Sequence, residues 1–335
     1  MNPALVVDGL VVRYGTGRDS VTAVDGVDLR VEAGSTLGII GESGSGKSTL
    51  ALAIAGLIPT AAGRVLIGGG ERAPEPAPST AGRDGRVQMI FQDPMLAMNP
   101  RMPIWKIVAE PLAGRRRRVT ADLRERACAL LADVGIGGEF ADRRPAQLSG
   151  GQRQRVTIAR AVAAGTPLIM CDEPVAALDV SLQAGVLRLL ADLQREHGHT
   201  YVFISHDMSS ISRLADRVGV MYLGSLVEVG DTRTVLAEPQ HPYTKLLIDS
   251  IPRVGRTRAG EQRLLAAGEI PDARNPPSGC RFRTRCVHAQ QRCAEETPEL
   301  RPGGAADHSV ACHFADELAG TPVPVLVTAT HKESP

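Results

Sequence analysis

The sequence contains no long hydrophobic run. Its longest stretch without a charged side chain is the 16 residues between Lys47 and Arg64, and Pro59 interrupts it. Because a helix that crosses a bilayer needs about 20 apolar residues, we expect no membrane span. Residues 1–15 lack a basic segment followed by an apolar block, so we also expect no signal peptide. These absences predict a cytoplasmic chain that would reach a membrane only through a partner.

An excess of charge of either sign is also missing. The 38 basic and 37 acidic residues leave a net charge of +1, so no overall field attracts the chain to nucleic acid or to an anionic membrane. Hydrophobic residues make up 43% and charged residues 22% of the 335 residues. This composition excludes dominant disorder and predicts two domains, or one α/β domain with an appendage.

Short runs rich in valine and isoleucine alternate with helical patterns, which predicts a mostly parallel α/β sheet. Antiparallel edge strands are predicted at 5–7 and 27–31, and further strands at 36–40, 87–91, 168–171, 200–205 and 218–222. Helices are predicted at about 47–56, 104–165 (as a wholly helical region) and 181–196, and a loop at 71–86. Four of the six cysteines crowd into 254–313 together with many prolines and arginines. We therefore predict one domain at 1–253 and an extension at 254–335.

The strongest motif lies between a predicted strand and a predicted helix. It matches the phosphate-loop pattern G-x4-G-K-[ST] with Gly41, Glu42, Ser43, Gly44, Ser45, Gly46, Lys47 and Ser48. Glycines let backbone N–H groups turn inward around phosphates, and the start of the helix adds partial positive charge. Lys47 would bridge the β- and γ-phosphates of a nucleotide, and the Ser48 hydroxyl would bind Mg²⁺.

Two further patterns each have an ordinary and a functional explanation. Asp172 and Glu173 follow a buried strand; such acids are usually only solvated, but a Mg²⁺–nucleotide site needs an acidic pole beside its phosphate loop. Gly150 and Gly151 open a predicted helix after Ser149. Ser149 is an ordinary N-cap in one interpretation. In the other, this helix start binds an anion, and one nucleotide is sandwiched between two chains.

Together these residues resemble the ATP-binding subunits of ABC transporters over residues 4–253. The landmarks of that family occur in order: Tyr14 at the adenine-stacking position, the phosphate loop followed by Thr49, Gln92 in the Q-loop, 148–152 in the signature, Asp172 and Glu173, Asp179 in the D-loop, and His206 as the switch histidine. One departure is Ala176, where relatives usually carry serine. Because Asp179 is retained, we expect little effect.

A closer resemblance is to the ATPases of oligopeptide and dipeptide importers, in particular the second of their two ATPases. It is carried by 91–94, 99–102, 175–181, 241–244, 279–282, 285–286 and 311–313. The fold that it implies is a P-loop NTPase core with an antiparallel β edge subdomain, an α-helical signature subdomain at about 104–165 and a small cysteine-rich C-terminal extension. Dipeptide, oligopeptide, glutathione and nickel importers share this architecture, so the cargo stays open.

The resemblance also implies how the site would work with ATP and Mg²⁺. Ser48, Gln92 and Asp172 would hold the metal, and Lys47 would offset phosphate charge. Glu173 would orient the attacking water, and His206 would hydrogen-bond the γ-phosphate. The signature and D-loop residues would contact a nucleotide held by the facing subunit, so that one chain alone makes an incomplete site; they are Ser149, Gly150, Gly151, Gln152 and Asp179.

The implied partners are a second ATP-binding subunit (a paralogue or a second copy), two membrane permease subunits and, indirectly, an extracytoplasmic solute-binding protein. The chain would be peripheral, on the cytoplasmic face of the membrane. The alternative function is a soluble ABC-type ATPase that acts on ribosomes or DNA. The chain has one set of motifs, no heptad arm and no basic surplus, so we favour transport and expect no nucleic-acid partner.

Four cysteines lie within 33 residues of the extension, at Cys280, Cys286, Cys293 and Cys312. In a reducing compartment such a group indicates a metal or cluster site, although the CxxC spacing of most zinc ribbons is absent. The resemblance implies a [4Fe–4S] cluster. Zinc with His288, His308 or His313, and free structural thiols, are the alternatives.

Overall fold

The computed structural model describes residues 3–17, 20–72, 85–113, 120–249, 269–303 and 307–318. The strands are β1 Pro3–Tyr14, β2 Val21–Glu32, β3 Thr36–Ile40, β4 Ala62–Ile67, β5 Gly70–Arg72, β6 Val87–Ile90, β7 Leu168–Asp172, β8 Tyr201–Ser205, β9 Arg217–Tyr222, β10 Ser225–Asp231, β11 Arg301–Pro302 and β12 Ser309–Val310. The helices are α1 Lys47–Ala55, α2 Ile104–Ala113, α3 Ala121–Asp133, α4 Gly150–Ala163, α5 Val180–His197, α6 Met208–Leu214, α7 Thr232–Ala237, α8 Pro242–Asp249, α9 Gln291–Glu295 and α10 Ala315–Leu318. Among the helices of these ranges, none has the length and apolar character that a membrane span requires.

The strands form two sheets. One is antiparallel with the spatial order β2-β1-β4-β5, and the other has eight strands in the order β11-β12-β10-β9-β3-β8-β7-β6. The five strands from β9 to β6 run parallel, which confirms the predicted mostly parallel sheet. The edge strands predicted near the start of the chain are parts of β1 and β2, which pair antiparallel.

Several strands were not predicted. β4 and β10 contain glycine and charged side chains that interrupt the apolar pattern, and such residues weaken a strand signal. The loop predicted at 71–86 begins inside β5 and lies mostly at 73–84, outside the described residues. The helical prediction for 104–165 is confirmed by α2, α3 and α4, with no strand in the described parts of that range.

The parallel sheet lies between two apolar layers. All five residues of β3 and of β8 are buried, as expected for parallel strands that are covered on both faces. Neighbouring side chains alternate between the layers: Ile39 packs with α1 and the antiparallel sheet, whereas Ile40 packs with the layer that contains α2 to α6. The unbroken apolar runs of these strands therefore follow from their central place in the fold.

The described part of the extension continues the main sheet. β12 pairs antiparallel with β10, with Glu228 opposite Val310, and β11 pairs with β12. The boundary predicted at 253/254 lies within 250–268, outside the described residues, and the division into 1–253 and 254–335 stays a prediction.

Candidate nucleotide-binding site

Four loops meet at one edge of the parallel sheet. The adjacent strands β3, β8, β7 and β6 end in register, as the pairs Ile40–Ser205, Asp172–Ile204 and Ile90–Cys171 show. The segments that follow these strands are therefore neighbours, at the edge where open α/β sheets bind ligands. This places the predicted phosphate loop, Gln92, the acidic pair and His206 side by side.

The phosphate loop is so close to neighbouring backbone that only glycine fits at two positions. Gly46 has a φ of +103°, and a Cβ there would lie 2.3 Å from the carbonyl oxygen of Ala23 in β2. A Cβ at Gly41 would lie 2.2 Å from the carbonyl oxygen of Met221 in β9. The loop therefore lies against the backbone of β2 and β9 at the start of α1, where backbone N–H groups can bind phosphates. The other residues predicted to bind the nucleotide here lie in the same segment: Ser43, Gly44 and Ser45 are in the turn, and Thr49 is in the first turn of α1.

Lys47 lies inside this loop and is only 5% exposed. Its Nζ donates hydrogen bonds to the carbonyl oxygens of Gly41 at 2.8 Å and Glu42 at 2.9 Å. Burial lowers the pKa of Lys47, while the carboxylates of Glu173, Asp172 and Glu42 oppose that shift. One ammonium group and three carboxylates therefore share the electrostatic environment of the loop.

Ser48 and Asp172, two of the predicted Mg²⁺ ligands, lie next to each other. The Ser48 hydroxyl donates a 3.0 Å hydrogen bond to Oδ1 of Asp172 at the end of β7. Burial raises the pKa of Asp172 and the hydrogen bond from Ser48 opposes this shift, so a bound cation would favour the ionised carboxylate. Hydroxyl and carboxylate oxygens are ligands that Mg²⁺ prefers, and these two residues fit the metal. Gln92 is exposed beyond β6, on the same sheet edge.

Glu173 occupies a strained turn directly after β7. Its φ is +48°, in a region that residues other than glycine seldom adopt, and such strain clusters at functional sites. Oε2 of Glu173 lies 3.2 Å from Nδ1 of His206. The Glu173 side chain is 19% exposed and that of His206 is 59% exposed. The turn thus holds a carboxylate against an accessible imidazole, a pair suited to orienting water and moving a proton.

The remaining predicted nucleotide contacts lie outside this cluster. Ser149 is exposed and caps α4: its hydroxyl accepts the Gln152 N–H at 3.2 Å, and the Gln152 side chain accepts the Ser149 N–H at 2.9 Å. This capping box confirms the ordinary interpretation of Ser149 and leaves anion binding as a prediction. Gly150 and Gly151 form the first turn behind it. Asp179 caps α5 in a similar way, and Tyr14 is 44% exposed at the end of β1.

Two residues beside the phosphate loop were not predicted. Arg285 forms two hydrogen bonds with the carboxylate of Glu42, at 2.6 and 2.9 Å. The Tyr243 hydroxyl accepts the Glu42 N–H at 2.8 Å. Both residues belong to stretches that carry the resemblance to peptide importers. That resemblance drew attention to these stretches, but nothing in the sequence indicated that they contact the phosphate loop.

The four extension cysteines line one small cavity together with His241, Phe282, His288 and His313. Burial raises the pKa of Cys280 to about 11 and that of Cys286 to about 12, which favours neutral thiols. Within the described ranges, no three His, Cys, Asp or Glu side chains are arranged to hold a metal ion. The predicted metal or cluster site therefore has no support from this geometry.

The histidines of the zinc alternative have other contacts. Nε2 of His308 lies 2.7 Å from Oε1 of the buried Glu228, and Nε2 of His313 lies 3.0 Å from the carbonyl oxygen of Glu296. His308 does not line the cysteine cavity, so the zinc alternative that includes it is not supported.

Comparison with known proteins places this site in a family. Residues 24–176 match the ABC transporter family, and 227–293 match the oligopeptide/dipeptide transporter C-terminal region. The chain is 45% identical to the oligopeptide transport ATP-binding protein OppF of Salmonella typhimurium over 301 residues, which are 89% of this chain and 90% of that protein. It belongs to the oligopeptide/dipeptide family of ABC transporter ATP-binding proteins. As an ABC cassette of this family, it is an ATPase.

Other relatives of this ABC ATPase agree. It is 44% identical over 279 residues to the probable D,D-dipeptide transport ATP-binding protein DdpF of Escherichia coli K12, covering 83% of this chain and 86% of that protein. Among solved structures, the ATP-binding cassette MJ0796, in a dimeric post-hydrolysis state bound to ADP and Pi, superposes with a TM-score of 0.61 at 28% identity. The match covers 68% of this chain and 99% of that structure, which confirms the ABC cassette fold.

Proposed function

We propose that this ATPase drives the import of short peptides through two membrane permease subunits, from the cytoplasmic face of the membrane. The observation that carries the proposal is the identity of 44–45% to named oligopeptide and dipeptide transport proteins over more than four-fifths of the chain. An extracytoplasmic solute-binding protein would deliver the cargo. Peptides are favoured over glutathione and nickel because these relatives carry peptide names.

In hydrolysis, the residues at the sheet edge take distinct roles. Lys47 and the loop amides bind the phosphates, and Ser48, Asp172 and Gln92 would hold Mg²⁺, which offsets phosphate charge. Glu173 orients the attacking water and accepts its proton. His206 fixes the Glu173 carboxylate, 3.2 Å away, and its exposed ring can reach the γ-phosphate.

The complete site would be shared by two ATP-binding subunits. Ser149 is exposed at the start of the 14-residue helix α4, so the signature can approach a nucleotide held by a facing chain. Val180, next to Asp179, is 82% exposed, which leaves the D-loop equally accessible. Adenine would stack on the half-exposed ring of Tyr14.

The subdomains of this family are proposed for the following parts. The antiparallel sheet of β1, β2, β4 and β5 would be the β edge subdomain, and α2, α3 and α4 the signature subdomain that faces the permeases. The extension would complete the peptide-importer ATPase. The exposed side chain of Leu96, at 75%, lies just beyond Gln92 and offers an apolar contact to a membrane subunit.

Co-expression with a candidate permease pair tests the proposal. The chain should co-purify with detergent-solubilised permeases, and ATP-dependent peptide uptake into proteoliposomes should require it. Stable association with ribosomes or DNA and none with permeases would instead support the soluble ATPase that the sequence left as the alternative.

The contents of the cysteine cavity are tested separately. A [4Fe–4S] cluster would need thiolates from Cys280, Cys286, Cys293 and Cys312, which all line this one cavity. Iron content and visible absorption of anaerobically purified protein decide the question. Protein that is colourless and free of both iron and zinc leaves four structural thiols.

A further inference from the structure

One arginine of the extension reaches the phosphate loop. Nη1 and Nη2 of Arg285 donate hydrogen bonds to the two carboxylate oxygens of Glu42 at 2.6 and 2.9 Å. The Arg285 side chain is 8% exposed and that of Glu42 is 31% exposed. A pair this well shielded from solvent differs from exposed pairs such as Arg292–Glu296, whose side chains are 48% and 57% exposed and which contribute little.

Every polar group of Glu42 has a partner. Arg285 binds its carboxylate, the Tyr243 hydroxyl accepts its N–H at 2.8 Å, and its carbonyl oxygen accepts a hydrogen bond from Lys47 Nζ at 2.9 Å. Glu42 therefore links Arg285, which binds its carboxylate, to Lys47, which binds its carbonyl oxygen.

Aromatic packing fixes Arg285 from the other side. Its guanidinium lies 5.8 Å from the ring centroids of Tyr222 and Phe282. Those rings and that of Tyr243 lie 4.7 to 5.4 Å apart, and each residue is 1% exposed. The arginine is thus held in one place by a packed cluster, and Phe282 is itself part of the extension.

The charge of Glu42 explains why this contact matters. Glu42 is close enough to Lys47 to act on its ammonium group, so an unpaired Glu42 carboxylate would repel a triphosphate bound at the loop. We propose that Arg285 is a positioning residue for the phosphate loop, which neutralises the Glu42 carboxylate beside Lys47 so that the extension sets the affinity for ATP. This inference rests on the proposed role of residues 41–48.

The test is the equilibrium dissociation constant of MgATP for the full chain, measured by calorimetry. Arg285→Ala should weaken binding about tenfold, which corresponds to about 1.4 kcal/mol, and Arg285→Lys should fall between it and the wild type. Adding Glu42→Gln to Arg285→Ala should restore most of the affinity, because the uncompensated charge is gone. Arg292→Ala, in the same extension, is the matched control and should bind as the wild type does.

The outcomes separate this inference from the proposed site. Lys47→Ala should bind MgATP far more weakly than the wild type; if it binds equally well, the site itself is wrong. If Lys47→Ala fails to bind but Arg285→Ala binds normally, only the role of Arg285 is overturned. If Arg285→Ala binds weakly and Glu42→Gln gives no recovery, Arg285 is merely structural and the proposal is also overturned. In an assembled transporter, the KM for ATP should rise while kcat at saturating ATP is retained.

Discussion

Replacing Gly46 by alanine tests the close approach of the phosphate loop to β2. The new Cβ would lie 2.3 Å from the Ala23 carbonyl oxygen and 2.9 Å from Met221 Cε, at a φ of +103°. The methionine end is flexible and can move, whereas the Ala23 carbonyl belongs to the backbone of β2 and moves only with the strand. Gly44 is the matched control, because its φ is +79° and a Cβ there would meet nothing within 4 Å.

The two variants share the backbone penalty and differ in the clash. An alanine at positive φ costs about 1–2 kcal/mol, which is the whole expected effect of Gly44→Ala. Gly46→Ala adds about 1–3 kcal/mol for the forced displacement of packed backbone. At about 2 °C per kcal/mol for a large chain, Gly46→Ala should lower the Tm by about 4–10 °C and Gly44→Ala by about 2–4 °C.

Thermal unfolding followed by circular dichroism, without nucleotide, measures this difference. Equal Tm values for the two variants would refute the reasoning, because they would mean that the loop does not press against Ala23 as the structure has it. Measuring without ATP keeps the comparison independent of phosphate binding, because both glycines lie in the loop that is predicted to bind phosphates.

Three further predictions concern hydrolysis and pH. Glu173→Gln should keep ATP binding, lose steady-state hydrolysis and trap a closed ATPase dimer visible by size-exclusion chromatography; normal turnover would remove Glu173 from its role. The isolated, dilute chain should hydrolyse ATP poorly in a steady-state assay, because half of each shared site is missing, and full activity of a monomer would contradict the sharing. Burial lowers the pKa of His241 from 6.5 to about 4, so between these values only the unfolded state takes up the proton, and the free energy of unfolding should fall by about 3 kcal/mol from pH 7 to pH 4. His241→Asn should flatten this decline in urea titrations, and an unchanged slope would assign it to other groups.

The sheet-edge site could be predicted because its signals are local. The pattern around Lys47 needs only a strand before it and a helix after it, and both lie within residues 36–55. Asp172 ends one apolar strand and His206 follows another, and parallel pairing alone brings the ends of such strands to one edge. The strand register then places these strand ends side by side, because Ile90, Cys171, Phe203 and their neighbours are paired without offset.

The parts that could not be predicted depend on contacts between distant residues. Arg285 and Glu42 are 243 positions apart, and nothing near either residue indicates the other. The strand β12 is two residues long and is defined by its pairing with the distant strand β10 and with β11. The strained backbone at Glu173 could not be predicted either. The sequence shows an acidic residue at the end of a strand, but not the backbone turn that places its side chain next to His206.

The pairing of β12 with β10 also determines what the sheet presents to other molecules at that end. Without it, Glu228 and Val229 of β10 would lose their partners, and unpaired N–H and C=O groups at a strand edge are a template on which another chain can add a strand. With it, the outermost strand is Arg301–Pro302, too short and too poor in donors to accept one. A version shortened to remove the extension would therefore uncover this part of the β10 edge, whatever became of its catalytic residues.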